Sequence, residues 1–262
     1  MSRQKKFDFI VPIGTTCMVA YNLREIKRQR ESLPFDWVWV TNFQMIIHFI
    51  ATHFTDFMKK ENLVFLKNNG DADVYRDITN KTEFWHDFMI GNDFDQAYEQ
   101  NFNKYQRRIK RMYFHINRAQ KVLWVRMVKV CPHKQKTDDD FMFENSLFDS
   151  QRLITEFQSL QELYPQKKFE LQLFYLYDEP HQKTEYDITP EIHICELYND
   201  EKLGWKGDVT AVSEVLQKYD LTFSAKIYYA FNTLKYKISK LYLQILRIYS
   251  NKNNKKLLKQ RD

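Results

Sequence analysis

Residues 13–40 read "IGTTCMVAYNLREIKRQRESLPFDWVWV", and the fold follows from how they are parsed. Just before them, residues 7–13, "FDFIVPI", make a short apolar run that ends at Gly14. A run of that length, closed by glycine, predicts a buried first strand. Thr15 or Thr16 can then cap a helix over about residues 17–30. Strand therefore passes straight into helix, with Cys17 in the first helical turn. "PFDWVWV" at 34–40 predicts a loop and then a short extended segment.

Working outward, residues 42–59 predict an amphipathic helix with Phe43, Ile46, Ile47, Ile50, Phe54 and Phe57 on one side. Residues 61–95 are mixed, with a polar loop at "KNNGDAD" and a second loop holding "FWHDF". Residues 95–117 give the clearest helical spacing. Its apolar side carries Tyr98, Phe102, Tyr105, Ile109, Met112 and Ile116; Arg107 and Arg108 lie on the other. "KVLWVRMVKV" at 121–130 predicts a strand and 140–163 a helix. Strands follow at 169–179 and 191–198, and Asp208 caps a helix to about 219.

Strands alternating with long helices predict an α/β fold: a mainly parallel sheet with helices on both faces, plus a C-terminal amphipathic helix. In such sheets sites gather at the carboxyl ends of strands. Gly14 to Cys17 stands at one such end and Asp178 at another. The expected organisation is an α/β body over residues 1–222 and a basic helix and tail over 223–262.

Charge separates the same two parts. The chain of 262 residues has a net charge of +6. Residues 226–262 hold ten Lys or Arg and one acid, a balance of +9, which leaves −3 for residues 1–225. A nucleic-acid-binding body is therefore not expected, and the basic character belongs to the tail. The tail repeats an apolar stripe at Ile227, Phe231, Leu234, Ile238, Leu241, Ile245 and Ile248 among tyrosines and lysines. That pattern suits an anionic membrane surface reached through residues 225–262. A helix docked on the body and a self-associating helix pair are the alternatives.

Three cysteines, Cys17, Cys131 and Cys195, lie far apart. The basic N-terminus precedes too short an apolar run for a signal peptide, and no apolar run reaches transmembrane length. The expectation is a cytoplasmic protein with reduced thiols, peripheral on the inner face of the membrane. Cys131 and His133 make only a Cys-x-His pair, so no metal and no cofactor are expected.

The chemistry then rests on Cys17. A thiol in the first turn of a helix meets the positive end of the helix dipole and free N–H groups. Both favour thiolate, so its pKa is expected to fall. The competing reading is a packed, inert thiol. A nucleophilic thiol needs a base and often an acid that orients it. His86 stands beside Asp87 in "FWHDF"; His181 follows Asp178 in "YDEPH". Both histidines are candidates. Gly14 and Thr16 shape the turn, Asp36 can hydrogen-bond the site loop, and Arg107 and Arg108 can bind an anionic substrate group.

The matching residues Gly14, Cys17, Ala20, Arg30, Ser32, Pro34, Phe35, Asp36 and Trp37 resemble the opening block of a family of papain-like cysteine peptidases of unknown function, the DUF1796 family. A second block matches at His86, Asp87, Phe88, Tyr105, Arg107, Arg108 and the strand ending at Arg126. The resemblance covers about residues 7–210. It implies a thiol-centred hydrolase or acyl transferase with Cys17 as nucleophile and favours His86 as base. It further implies a peptide, ester or glycan substrate, with a link to surface-polysaccharide metabolism. A different class of function remains open at the same turn: non-covalent binding of a glycan or nucleotide sugar, with its phosphate on the helix N-terminus.

Overall fold

A computed structural model describes the backbone of residues 4–40, 42–130 and 149–258, and their side chains except at 201, 243 and 245–258. Cys131, His133 and the first part of the helix expected from 140 lie outside the described residues. The chain divides into two compact units, Met1–Leu221 and Thr222–Asp262.

The first strand exists in two pieces, β1 (Lys5–Phe7) and β2 (Phe9–Pro12). The break is Asp8, whose carboxylate accepts from the N–H groups of Gln120 and Lys121. Helix α1 (Met18–Glu25) follows and stops five residues short of expectation. Lys27, at φ 59°, has left the helical region. A 3₁₀ turn over Pro34–Asp36 leads into β3 (Val38–Trp39) and α2 (Phe43–Ala51). Helix α2 ends early for the same reason, because His53 and Phe54 take φ of 53° and 60°.

Residues 61–95 form more than the mixed segment expected. They fold into β4 (Leu63–Asn68), β5 (Ala72–Asp77) and β6 (Glu83–Met89), which with β3 make an antiparallel sheet in the order β3-β6-β5-β4. The turn at 69–71 is built by its side chains: Asn68 Oδ1 accepts from Gly70 N at 2.7 Å, and Asn69 Oδ1 from Ala72 N at 2.8 Å. Gly70 takes φ +100°, open to glycine at no steric cost. "FWHDF" is therefore part of a strand, not a loop.

Next come α3 (Phe94–Arg118), β7 (Lys121–Val130), α4 (Ser150–Glu162), β8 (Lys168–Tyr177), β9 (Thr184–Thr189), β10 (Ile192–Tyr198), α5 (Val209–Leu216) and β11 (Tyr219–Leu221). The main sheet runs β2-β7-β8-β10-β9. The first four strands are parallel and β9 lies antiparallel to β10. The expectation of a mainly parallel sheet is thus corrected: the main sheet is mixed and the second sheet is antiparallel throughout. β1 and β11 add a separate parallel pair.

The central strands β7 and β8 are buried along almost their whole length, as strands covered on both faces must be. Phe9, Val11, Trp124, Val128, Leu171 and Ile194 share one core with Ile46, Phe49, Ile109, Met112 and Phe157 of α2, α3 and α4. The alternate residues Ile10, Leu123 and Val125 are buried too; α1 lies against β2 and β7 and packs on α5. Among the described residues the second unit holds one helix, α6 (Phe223–Leu258).

Candidate active site

Parallel pairing of β2 with β7 brings the turn after β2 to the upper half of β7. Ile13 N donates to Val125 O at 2.8 Å, and Thr15 Oγ1 donates to Met127 O at 2.6 Å. Arg126, buried, donates from Nη1 to Ile13 O at 3.1 Å and lies over the Phe43 ring. Gly14 is required here by a close approach. A Cβ on it would stand 2.6 Å from Thr16 O and 2.7 Å from Val19 Cγ2. Thr16 Oγ1 accepts from Met18 N at 3.3 Å and ties down the start of α1.

Cys17 is the N-cap residue of α1 and is 9% exposed. Burial pushes its thiol pKa up, against opposing effects of its own backbone N–H and the charge of Lys129. The expected fall is therefore corrected: the backbone N–H and Lys129 favour thiolate, but loss of water outweighs them. The resting thiol is protonated. Cys195, inside β10, is pushed up to about 12, chiefly by burial.

The Pro-Phe-Asp-Trp stretch supplies a buried acid. Asp36 is fully buried at the end of the 3₁₀ turn. Its carboxylate accepts from Arg24 Nη2 at 2.7 Å, from Gln29 Nε2 at 2.8 and 2.9 Å, and from Leu33 N at 3.0 Å. Burial raises its pKa to about 6, against the pull of Arg24, Gln29, the Leu33 N–H and Arg108. Arg24 also donates to Ser32 Oγ at 3.1 Å, and its guanidinium sits 5.1 Å over the Trp37 ring. Trp37 and His86 meet edge to face, with ring centres 6.3 Å apart at 86°. Asp36, Arg24, Trp37 and His86 thus form one contact chain that starts from the helix Cys17 begins.

His86 is exposed on β6, and Asp87 is buried. Neighbours on a strand point to opposite faces. The Asp87 carboxylate is bonded by Lys104 and by Tyr105 OH at 2.7 Å, and its carbonyl by Asn101 Nδ2. It braces α3 and does not hold His86. His181 has a carboxylate partner, but a different one from Asp178: its Nε2 lies 3.0 Å from Glu196 Oε2, and its ring stacks on Tyr177. Asp178 is placed by its backbone, donating from N to Val130 O at 3.4 Å.

Arg107 is exposed on α3. Arg108 lies over the Tyr105 ring, and its Nη1 is buried with no hydrogen-bond partner. Among the described residues no cluster of His, Cys, Asp and Glu could hold a metal ion. Sequence reasoning missed Arg24 and Lys129. Arg24 is an ordinary helix residue by pattern. Lys129 could have been found, since it closes the strand that the first strand pairs with.

Part of this site falls within a stretch that a known family matches. The sequence profile of the family described as "Putative papain-like cysteine peptidase (DUF1796)" matches residues 8–138. The chain belongs to this family. The match holds Gly14, Cys17, Asp36, His86 and Arg108 and stops well before 210, so Asp178 and His181 lie beyond it. A relative, "Uncharacterized protein R408" of Acanthamoeba polyphaga mimivirus, is 30% identical over 134 residues, which cover 44% of this chain and 60% of that protein. No solved structure matches the chain.

Proposed function

We propose that this member of the DUF1796 family is a thiol-dependent hydrolase or acyl transferase with Cys17 as nucleophile and His86 as general base. The observation that carries the reading is the placement of Cys17. It caps a helix at the carboxyl end of a parallel strand, where the charge of Lys129 reaches it, within the stretch shared with the family. His86 lies in that same stretch, whereas His181 does not.

Because burial keeps the thiol protonated, the proton must be removed as substrate arrives. His86 takes it, the sulfur attacks the acyl carbon, and the carbonyl electrons move to oxygen. N–H groups of the first turn of α1 stabilise that oxyanion. Collapse expels the alcohol or amine, which receives the proton from His86. Water, or an acceptor alcohol, then releases the acyl group from sulfur and restores the thiol. Asp36 is the positioning acid in this scheme, acting on His86 through Arg24 and Trp37. The unpartnered Arg108 Nη1 suits an anionic group on the acyl donor, as an acidic surface glycan would carry.

The test is intact-mass detection of an acyl adduct after exposure to p-nitrophenyl acetate. The wild-type protein and His181→Ala should acylate, and Cys17→Ser should not. His86→Ala should acylate about a hundredfold more slowly. Loss in His181→Ala with His86→Ala unchanged would move the base to the His181–Glu196 pair.

A second reading has one observation in its favour. The same turn offers positive potential from Lys129 and the helix N-terminus to a thiol that is neutral at rest, which suits a bound phosphate without a covalent step. Titration with a nucleotide sugar separates the two: equal affinity in wild-type protein and Cys17→Ser, with no acyl adduct, would favour it.

A further inference from the structure

Helix α6 is 36 residues long, about 54 Å at 1.5 Å per residue. Its apolar residues Phe223, Ile227, Phe231, Leu234, Ile238 and Leu241 are all at least half exposed, Phe223 at 79% and Phe231 at 65%. Their spacing of four, four, three, four and three places them on one narrow stripe. At about 100° per residue, Lys235 and Lys237 fall on either flank of that stripe, and both are exposed. The exposed Tyr242 stands beside it as well.

We propose that α6 is an in-plane anchor that lays this stripe into the headgroup boundary of an anionic membrane leaflet. The stripe would sink to the acyl boundary while Lys235 and Lys237 extend sideways to lipid phosphates and carboxylates. Tyrosine suits that depth, having an apolar ring and a polar tip. The mode is lying on, not crossing: among the described residues no helix is long and apolar enough to span a bilayer.

Charge selects the membrane over a second copy of the helix. Residues 223–258 contain no Asp or Glu. Two such helices would bring lysines to the edges of their seam with no acid to pair them, and paired charges at those edges are what fix partner choice in coiled coils. An anionic lipid surface supplies the missing counter-charge.

The experiment is co-sedimentation of the full chain with phosphatidylcholine vesicles, with and without phosphatidylserine, at low and high salt. Two variants accompany it: Phe231→Ser with Ile238→Ser, and Lys235→Gln, Lys237→Gln and Lys240→Gln together. All five positions are exposed, so the body should keep its melting temperature. The wild-type chain should bind the phosphatidylserine vesicles and lose binding in high salt. The lysine variant should bind about a hundredfold more weakly, and the apolar variant should fail. Binding to neither vesicle overturns the proposal. So does a dimer in light scattering that the Phe231→Ser, Ile238→Ser variant abolishes without any vesicle binding, and so does retention on single-stranded RNA alone.

Discussion

Arg24 Nη2 stands 2.7 Å from Asp36 Oδ2, and this pair joins the helix that begins at Cys17 to the turn that carries Trp37. The Asp36 side chain is fully buried and that of Arg24 about one-third exposed. Removing the acid leaves the Gln29 amide and the Leu33 N–H buried without their acceptor, at a cost of about 1–3 kcal/mol, while the part-exposed Arg24 can turn to water. Asp36→Ala should therefore lower stability by about that amount in urea unfolding. Acylation of Cys17 should fall with it, even at a temperature where the variant remains folded.

The pH dependence of the same site has a definite sign. Asp36 has a folded pKa of about 6 against an ordinary value of 3.8. The folded state therefore binds more protons than the unfolded state between those values, so stability from this group is present at low pH and lost as pH rises to about 6. The shift corresponds to about 3 kcal/mol. The stability of wild-type protein relative to Asp36→Asn should drop by about that much from about pH 4 to about pH 7 and stay level above. A flat difference would contradict the burial of an ionisable acid here.

Cys17 yields a second titration. Burial holds its thiol above the ordinary range while Lys129 pulls it down. In a Cys131→Ser, Cys195→Ser background, iodoacetamide should label Cys17 slowly near neutrality, with the rate still climbing above about pH 9. Lys129→Met should move the profile to higher pH, and His86→Ala should leave it in place, since in the resting protein His86 touches Trp37 and not the thiol. A profile centred well below the ordinary thiol value would mean that water reaches the sulfur.

Much of this could be read from residues alone, and the exceptions have physical causes. Helix α3 and strands β7, β8 and β10 were legible because long periodic or continuously apolar segments leave few alternatives. The second sheet was hidden because its strands are short, half exposed and rich in polar residues; the pairing of Arg76 with Glu83 across β5 and β6 is a tertiary fact. Helices α1 and α2 were overrun because Lys27, His53 and Phe54 accept left-handed backbone that their types rarely take. At the site, the turn around Cys17 was legible from Gly14, Thr16 and Cys17. The direction of the thiol shift was not, because burial at the head of α1 comes with the packing of that helix on α5 and β7, far away in sequence. Asp36 was named as a loop acid, but its partner Arg24 lies twelve residues upstream with no spacing rule to reveal it.

Gly14 gives a packing prediction. An added methyl would press on a backbone oxygen, Thr16 O, as well as on Val19. A backbone contact cannot move aside like a flexible side chain, so the turn itself must shift. Gly14→Ala should cost about 1–3 kcal/mol and displace Cys17. Thermal melting gives the first quantity, and a changed iodoacetamide rate at Cys17 in the folded variant gives the second. A variant as stable as wild-type protein, with the same thiol rate, would mean that the turn is looser than this packing requires.

The neighbours His86 and Asp87 should separate cleanly under mutation. Asp87 is buried with Lys104 and Tyr105 on its carboxylate, so Asp87→Ala leaves a buried phenol and a part-exposed ammonium without their acceptor. It should cost about 3 kcal/mol or more, chiefly by loosening α3 from β6. His86 is exposed and meets Trp37 edge to face, so His86→Ala should change stability by about 0.5 kcal/mol or less. In the acylation assay the order reverses: His86→Ala slows the reaction in a protein of unchanged melting temperature, and Asp87→Ala loses activity only in step with the folded fraction. If Asp87→Ala instead lost acylation while fully folded, its carboxylate would have to reach the histidine in the reacting state, and β6 would have to twist to allow it.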